Sequence, residues 1–557
     1  ALCALPDVSC APVKGVLTPM ASTPRLSVPI IAQAERTPTV ELLLAIIEQQ
    51  HATLAALEQR VGALEAEVRR VKGLPARPTI KPSALGKRRD DDEPPPSGGA
   101  APERRRPGSS KRRKRVKVHR SLIIVPESLP AGSRLRGYQD FFVQDLMIEP
   151  LNTRYRLARY DTPSGERRVG QLPQHLNNAH FGPTLISYIV HQHHHQRVTQ
   201  PLLLSQLRQW GVDISSGQLN RLLIEHNDTF HHEKDQLLLA GLSASAYVHV
   251  DDTGARHRGK NGYCTHIGNE HFAFFESTAS KSRINFLELL RTPYTDYHLN
   301  QGAWQYLREH KLPRACVEQL RAGPRHFDDQ SAWLAQLDAQ NITSERHRRI
   351  ATEGALIGSV HHHALHPQLV IISDDAGQFD VLRHALCWIH AERNIQALLP
   401  LNELHVQALH STRAALWTLY DQLKAYKLNP TAKAKCDINQ RFDTLCQTKT
   451  DFQTLNQALK RLYKNKAELL LVLERPDIPL HNNLSENDIR EYVIKRKISG
   501  STRSEDGRRA RDTFASLKKT CQKLGIGFWD FLLDRITLSN NIPPLPQLVA
   551  EAASSNG

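Results

Sequence analysis

The stretch LVIISDDAGQFDVLRHALCWIHAERNI, residues 369–395, limits the choice of fold more than any other part of the chain. Leu369, Val370, Ile371 and Ile372 are apolar without alternation. That is the pattern of a strand covered on both faces, as in sheets flanked by helices. The run stops at Asp374 and Asp375. A carboxylate at the end of a core strand is costly unless a partner or a metal ion offsets its burial. Beyond it stand Cys387 and His390, a Cys-x-x-His.

The surrounding pattern supplies candidates for what meets those acids. YVHVDDTGARHRGKNGYCTHIGNEHFAFFESTAS predicts three strands, at 247–251, 262–268 and 271–276, with Asn269-Glu270 as a tight turn. A helix follows at 283–290, then a helical stretch at about 301–357. The fourth strand is 369–374, and a short fifth covers 385–389. Residues 395–480 read as helical, and a late helix opens near Asn483 in NNLSENDIREYVIKRKI. Asp251 is expected to end the first strand, Asp374 the fourth, and Glu486 to lie in the first turns of the late helix. The order β-β-β-α-β-α-β-α with acids at those places is the ribonuclease-H arrangement. Its first and fourth strands are neighbours, so their carboxylates meet, and the late helix adds a third. Mg²⁺ is a hard cation that takes oxygen ligands. Two such ions roughly 3.5–4 Å apart clamp the attacking and leaving oxygens of a phosphoryl displacement. Glu486, Arg490 and Lys497 share one helix face. That face joins a metal ligand to cations for a DNA backbone; an intrahelical ion pair is the alternative.

Upstream, Ile47, Leu54, Val61 and Val68 recur every seven residues, with Leu43, Gln50, Leu57, Leu64 and Val71 as a second seam. This predicts a coiled coil at 41–73, at least a dimer, after an N-terminal tail at 1–40. The alternative is an amphipathic helix packed on its own domain. Residues 74–120 are a basic, Pro-rich linker expected to be disordered. Its runs Arg104, Arg105, Arg106 and Lys111, Arg112, Arg113, Lys114, Arg115 could hold DNA phosphates without sequence choice. Residues 121–178 suggest a small β-rich module. Within 179–240, PLLLSQLRQWGVDISSGQLNRLLIEH has a turn at Gly211 and a Ser215 cap, which is helix-turn-helix spacing shared by any αα-hairpin. His191, His193, His194 and His195 are expected on the surface. The ribonuclease-H-like domain then occupies 241–395 and 481–540, split by a helical insertion at 396–480, with a tail at 541–557. Translation is expected to begin at Met20.

A formal net charge of +16 points to a polyanionic partner. No run of 18 apolar residues exists to cross a membrane. The eight Cys are scattered, which fits a reducing cytosol. No GxxxxGK[ST] is present, so ATP is not implied.

Taken together, HVDDTGAR (249–256), SDDAGQF with HALCWIHAERNI (373–395) and NNLSENDIR with KRKISGSTRSEDGRRARDTFASLKKTC (482–521) resemble the IS-sixty-six family of insertion-sequence transposases, the DDE-type TnpC group. The likeness runs from about 41 to 535 and includes the zipper and the helix-turn-helix segment. It implies a bacterial, cytoplasmic, nucleoid-associated DNA transposase. Such an enzyme binds terminal inverted repeats, cleaves by metal-dependent hydrolysis, and joins 3′-hydroxyl ends to target DNA. Asp251, Asp374 and Glu486 would be the catalytic residues and the ligands of two Mg²⁺ or Mn²⁺ ions. Cys387, His390, Arg490 and Lys497 would support the site, and Arg496 and Lys497 would face DNA. A homo-oligomer and accessory transposition proteins are the implied partners. The family's Cys-rich zinc motif has no counterpart, because 116–180 holds no Cys, so no zinc is expected there. Asp252 replaces a common Glu. A nuclease that cuts without joining, and a catalytically decayed DNA-binding regulator, are the competing functions.

Overall fold

The computed structural model describes residues 37, 118–126, 128–173, 176, 180–365 and 367–555. The expected coiled coil and the basic runs at 104–106 and 111–115 lie outside them. Two compact units divide the chain, Ala1–Gly137 and Tyr138–Gly557. The described residues of the first carry no helix or strand.

The β-rich expectation for 121–178 is not met. Its regular strand structure, among the described residues, is one hairpin, β1 (Arg159–Asp161) with β2 (Arg167–Val169), exposed throughout. Ile124, Phe141 and Leu151 also stand exposed. Apolar residues that find no shared core give a segment no reason to build a sheet.

From Pro183 the second unit is largely helical. α1 (Pro183–Val190), α2 (Gln200–Gln209) and α3 (Ser216–Ile224) surround a small core of Ile189, Leu203, Leu207, Ile214, Leu219 and Leu223. Ser215 caps α3 in a reciprocal capping box with Gln218, as its sequence position suggests. Gly211 makes the turn at φ +86°, which suits a residue without a Cβ. The histidine run does not lie free on the surface. It forms one π-helical turn, His191–His195, whose rings pack on Phe514 and Phe528. Burial keeps His193 neutral, its pKa lowered to about 4, with Lys495 adding repulsion.

α4 (Asp228–Ala244) leads into the central sheet. Its strands are β3 (Tyr247–Gly254), β4 (Tyr263–Gly268), β5 (Ala273–Thr278), β8 (Val370–Ser373) and β9 (Arg383–Leu386), in the order β5-β4-β3-β8-β9. The first and fourth strands of this sheet are therefore neighbours, as expected, and they run parallel. Alternate residues go to opposite cores. Ile371 joins the core built with Val248, Val250, Ile267 and Phe274; Val370 and Ile372 join the core shared with the helical insertion. That two-sided burial is why the β8 sequence shows no alternation.

Between β5 and β8 run α5 (Arg283–Leu290), a minimal pair β6 (Tyr297–His298) and β7 (His326–Phe327), and the helices α6 (Gln301–Glu309), α7 (Arg314–Ala322), α8 (Gln330–Ala339) and α9 (Glu345–His362). After β9 come α10 (Trp388–Gln396), α11 (Glu403–Leu428), α12 (Ala432–Gln447), α13 (Gln453–Lys464) and α14 (Lys466–Leu469). α15 (Asn483–Ser499), α16 (Glu505–Lys523), α17 (Phe528–Thr537) and α18 (Leu545–Ser555) close the chain. The final tail expected at 541–557 is thus mostly helix, with Leu545 and Val549 in the main core. No helix among the described residues is long and apolar enough to cross a membrane.

Candidate active site

β3 is longer than its sequence suggests and does not end at Asp251. It pairs with β8 only through His249↔Ile372, yet continues against β4 as far as Gly254↔Tyr263. β8 ends at Ser373, and Asp374 is the next residue. Asp251 and Asp374 therefore stand where two parallel strands part at their carboxyl ends, the usual place for ligands in open α/β sheets. Their proximity registers electrostatically. Burial, opposed by the Asp252 amide and reinforced by the charges of Asp374 and Asp252, raises the Asp251 carboxyl to about 7.

The two doublets are not symmetric in their partners. Asp252 lies within the strand, not in the loop, and both its oxygens are occupied. The Thr265 hydroxyl donates to one at 2.6 Å, and the Gln378 amide to the other at 2.8 Å. Asp375 is tied to the helical insertion by Arg461 at 2.5 Å and Asn465 at 3.3 Å. The hydrogen bonds to Asp251 and Asp374 come from nearby backbone amides of their own strand ends, Asp252 at 2.7 Å and Ala376 at 3.2 Å.

Glu486 arrives on the first turns of α15. A buried polar network docks that helix across β3 and β4. Asn482, just before α15, donates its amide to the Val250 carbonyl at 2.8 Å and bonds the His249 ring at 3.0 Å. The Ser485 hydroxyl meets His266 at 2.6 Å. Asp488 pairs with Lys519 at 3.3 Å and Lys523 at 2.8 Å. At the end of α15, Arg496 turns inward to the Gly254 carbonyl and to Thr253. It ties the helix to β3 while staying partly exposed. Arg490 and Lys497 are exposed and form no ion pair among the described residues, so the intrahelical pair with Glu486 is not made.

Glu486 instead faces α10. Its Oε1 lies 3.4 Å from Arg393 and 3.7 Å from His390. Cys387 precedes α10, and its Sγ accepts the Asn482 backbone N–H at 3.2 Å. Burial pushes the Cys387 thiol up from its ordinary range. Cys387 and His390 thus link β9 and α10 to α15. The three acids do not converge within 4.8 Å of one another as a ready ligand cluster; the described groups that do so are other residues, one of them Asp380, His384 and Glu468 beside β8. Asp251 and Asp374 stand near enough for the charge of one to bear on the other, and Glu486 stands on the neighbouring helix.

Asn482, Ser485, Asp488, His249 and His266 do not stand out in the sequence as site residues. The signal available was spacing: positions 482, 485 and 488 recur every three residues in NNLSENDIR, a polar stripe on a helix that a sheet must cover.

Comparison with known proteins agrees with these motifs. Residues 370–510 match the family model described as Transposase IS66 family. An uncharacterized protein y4jO of Sinorhizobium fredii is 47% identical over 321 residues, covering all of that protein and 57% of this chain. The matched family segment contains β8, Asp374, Cys387, His390 and Glu486, and the chain belongs to the IS66 family of transposases.

Proposed function

We propose that the chain is a DDE transposase that cuts element ends and joins them to target DNA through a ribonuclease-H-like domain with Asp251, Asp374 and Glu486 at its centre. The observation that carries this reading is the placement of Asp251 and Asp374 at the split between β3 and β8, within electrostatic reach of each other, with α15 latched to β3 by Asn482. All three side chains offer oxygen, which fits a hard divalent cation, and a raised Asp251 carboxyl is what such a counter-ion would relieve. Mg²⁺ or Mn²⁺ held by these three residues would supply the Lewis acidity for phosphodiester hydrolysis and transfer.

The chain's own residues do the rest. Thr265, Gln378, Arg461 and Asn465 hold the second acids of the doublets away from the site. His390 and Arg393 orient Glu486. Arg490 and Lys497, exposed on the same helix, are positioned to meet phosphate oxygens. The three-helix unit with the capped α3 would read the terminal repeat. The basic linker would add affinity that ignores sequence, and the zipper would pair two ends. A repressor that had lost catalysis would not need the acid pair kept intact. Incubating the full chain with a terminal-repeat duplex and a target plasmid tests the proposal. Mg²⁺-dependent 3′-end cleavage followed by joined product is expected. Cleavage without joining would leave a nuclease; repeat binding with neither product would leave a regulator.

A further inference from the structure

The segment between β5 and β8 brings together a second set of metal-competent side chains that the transposition chemistry does not use. β6 and β7 pair antiparallel with His298 directly opposite His326, so both rings lie on one face. Asp296 precedes β6, and three imidazoles converge on its Oδ2. The Nε2 atoms of His363, His298 and His326 lie 2.7, 2.9 and 3.9 Å away. The Ser359 hydroxyl donates to Oδ1 at 2.5 Å, which fixes the carboxylate and leaves Oδ2 for the rings. The donor atoms of Asp296, His298 and His326 lie within 4.8 Å of one another, as do those of His298, His362 and His363.

We propose that Asp296, His298, His326 and His363 form a binding site for a divalent transition-metal ion of the zinc class. The donor chemistry selects that class. Imidazole nitrogens suit Zn²⁺, Ni²⁺ and Cu²⁺, whereas Mg²⁺ takes oxygen. Zinc bonds of about 2.0–2.2 Å in a tetrahedron separate neighbouring ligand atoms by roughly 3.3–3.6 Å. The spacings around Asp296 Oδ2 fall on either side of that value; His363 joins the Asp296, His298 and His326 group through its contact with Oδ2, so its ring must move to complete a tetrahedron. On binding, each ring would take its proton on Nδ1 and give Nε2 to the metal.

The local fold points the same way. Strands of two residues make too short a ladder to hold themselves, and the site would staple β6, β7 and the end of α9. Gly358 permits the approach, since a methyl group there would collide with the His298 carbonyl. Asn300 fastens the same turn, its amide donating to the Gly358 carbonyl at 2.7 Å. A cleft of about 830 Å³ lined by His298, Trp304, Arg308, Arg321, Arg325 and His326 gives access.

The test uses the untagged full chain, stripped with chelator and titrated with Co²⁺ and then Zn²⁺. Wild type should take up Co²⁺ with the visible bands of a four-coordinate site, lose them to Zn²⁺, and behave the same as Asp251→Asn. His326→Ala, whose side chain is 52% exposed and so costs little in folding, should weaken binding at least about tenfold. His363→Ala should do the same. Zinc should slow amide exchange at 296–298, 326–327 and 359–363. No Co²⁺ bands in wild type, or unchanged bands and affinity in both His326→Ala and His363→Ala, would overturn the proposal.

Discussion

Replacing Asp251 with Asn should stabilise the metal-free protein while destroying its cleavage activity. The sign follows from the raised carboxyl. An acid that titrates at 3.8 when unfolded and at about 7 when folded binds more protons in the folded state, so stability falls as pH rises between those values. On those values the ionised carboxylate costs up to about 4 kcal/mol at about pH 8, but under about 2 kcal/mol at about pH 5. Asp251 keeps partial solvent access, which screens part of this, so a gain of about 1–3 kcal/mol at the higher pH is expected. Asn keeps the shape and removes the charge. The assay is thermal unfolding of wild type and Asp251→Asn at both pH values, in chelator and in Mg²⁺. The variant should melt higher in chelator, by a margin that widens with pH, and Mg²⁺ should raise wild type alone. An Asp251→Asn protein that is equally destabilised at both pH values in chelator would refute the reasoning, because the carboxylate would then be held by protein partners and not strained by burial beside like charges.

Further expectations concern the rest of the site and the flanking segments. Asp374→Asn and Glu486→Gln should keep DNA binding and lose Mg²⁺-dependent cleavage by several orders of magnitude; Asp252→Asn and Asp375→Asn should retain measurable cleavage, and if they are as inactive as their neighbours while folded, the ligands sit one residue along. Asn482→Ala leaves the Val250 carbonyl and the His249 ring without their partner, at a cost of about 2–4 kcal/mol, and hydrogen exchange should show α15 loosened before the sheet. Removing residues 41–72 should lower the mass seen by light scattering and abolish pairing of two DNA ends. Neutralising the eight basic residues at 104–106 and 111–115 should flatten the dependence of log affinity on log salt, by about 0.9 for each phosphate that is no longer neutralised, with sequence preference unchanged.

The sequence by itself determined the elements of the catalytic region. The unbroken apolar run at Leu369–Ile372 reads as a strand covered on both sides, and the helices at 283–290 and from Asn483 lie where periodicity puts them. It also proposed Asp251, Asp374 and Glu486 as candidate site acids, from their expected places on core elements and from motifs that resemble one family. Tertiary structure decided what no local pattern encodes. Only the pairing of β3 with β4 beyond the end of β8 shows that Asp251 lies inside a strand. Only distant partners distinguish the members of each doublet: Thr265 and Gln378 claim Asp252, and Arg461 and Asn465 claim Asp375. The inward turn of Arg496, the packing of the histidine run and the meeting of His298, His326 and His363 on Asp296 likewise join residues far apart in the chain. Short-range periodicity fixes which face of an element is buried, but the choice of what covers it is made by contacts across tens or hundreds of residues.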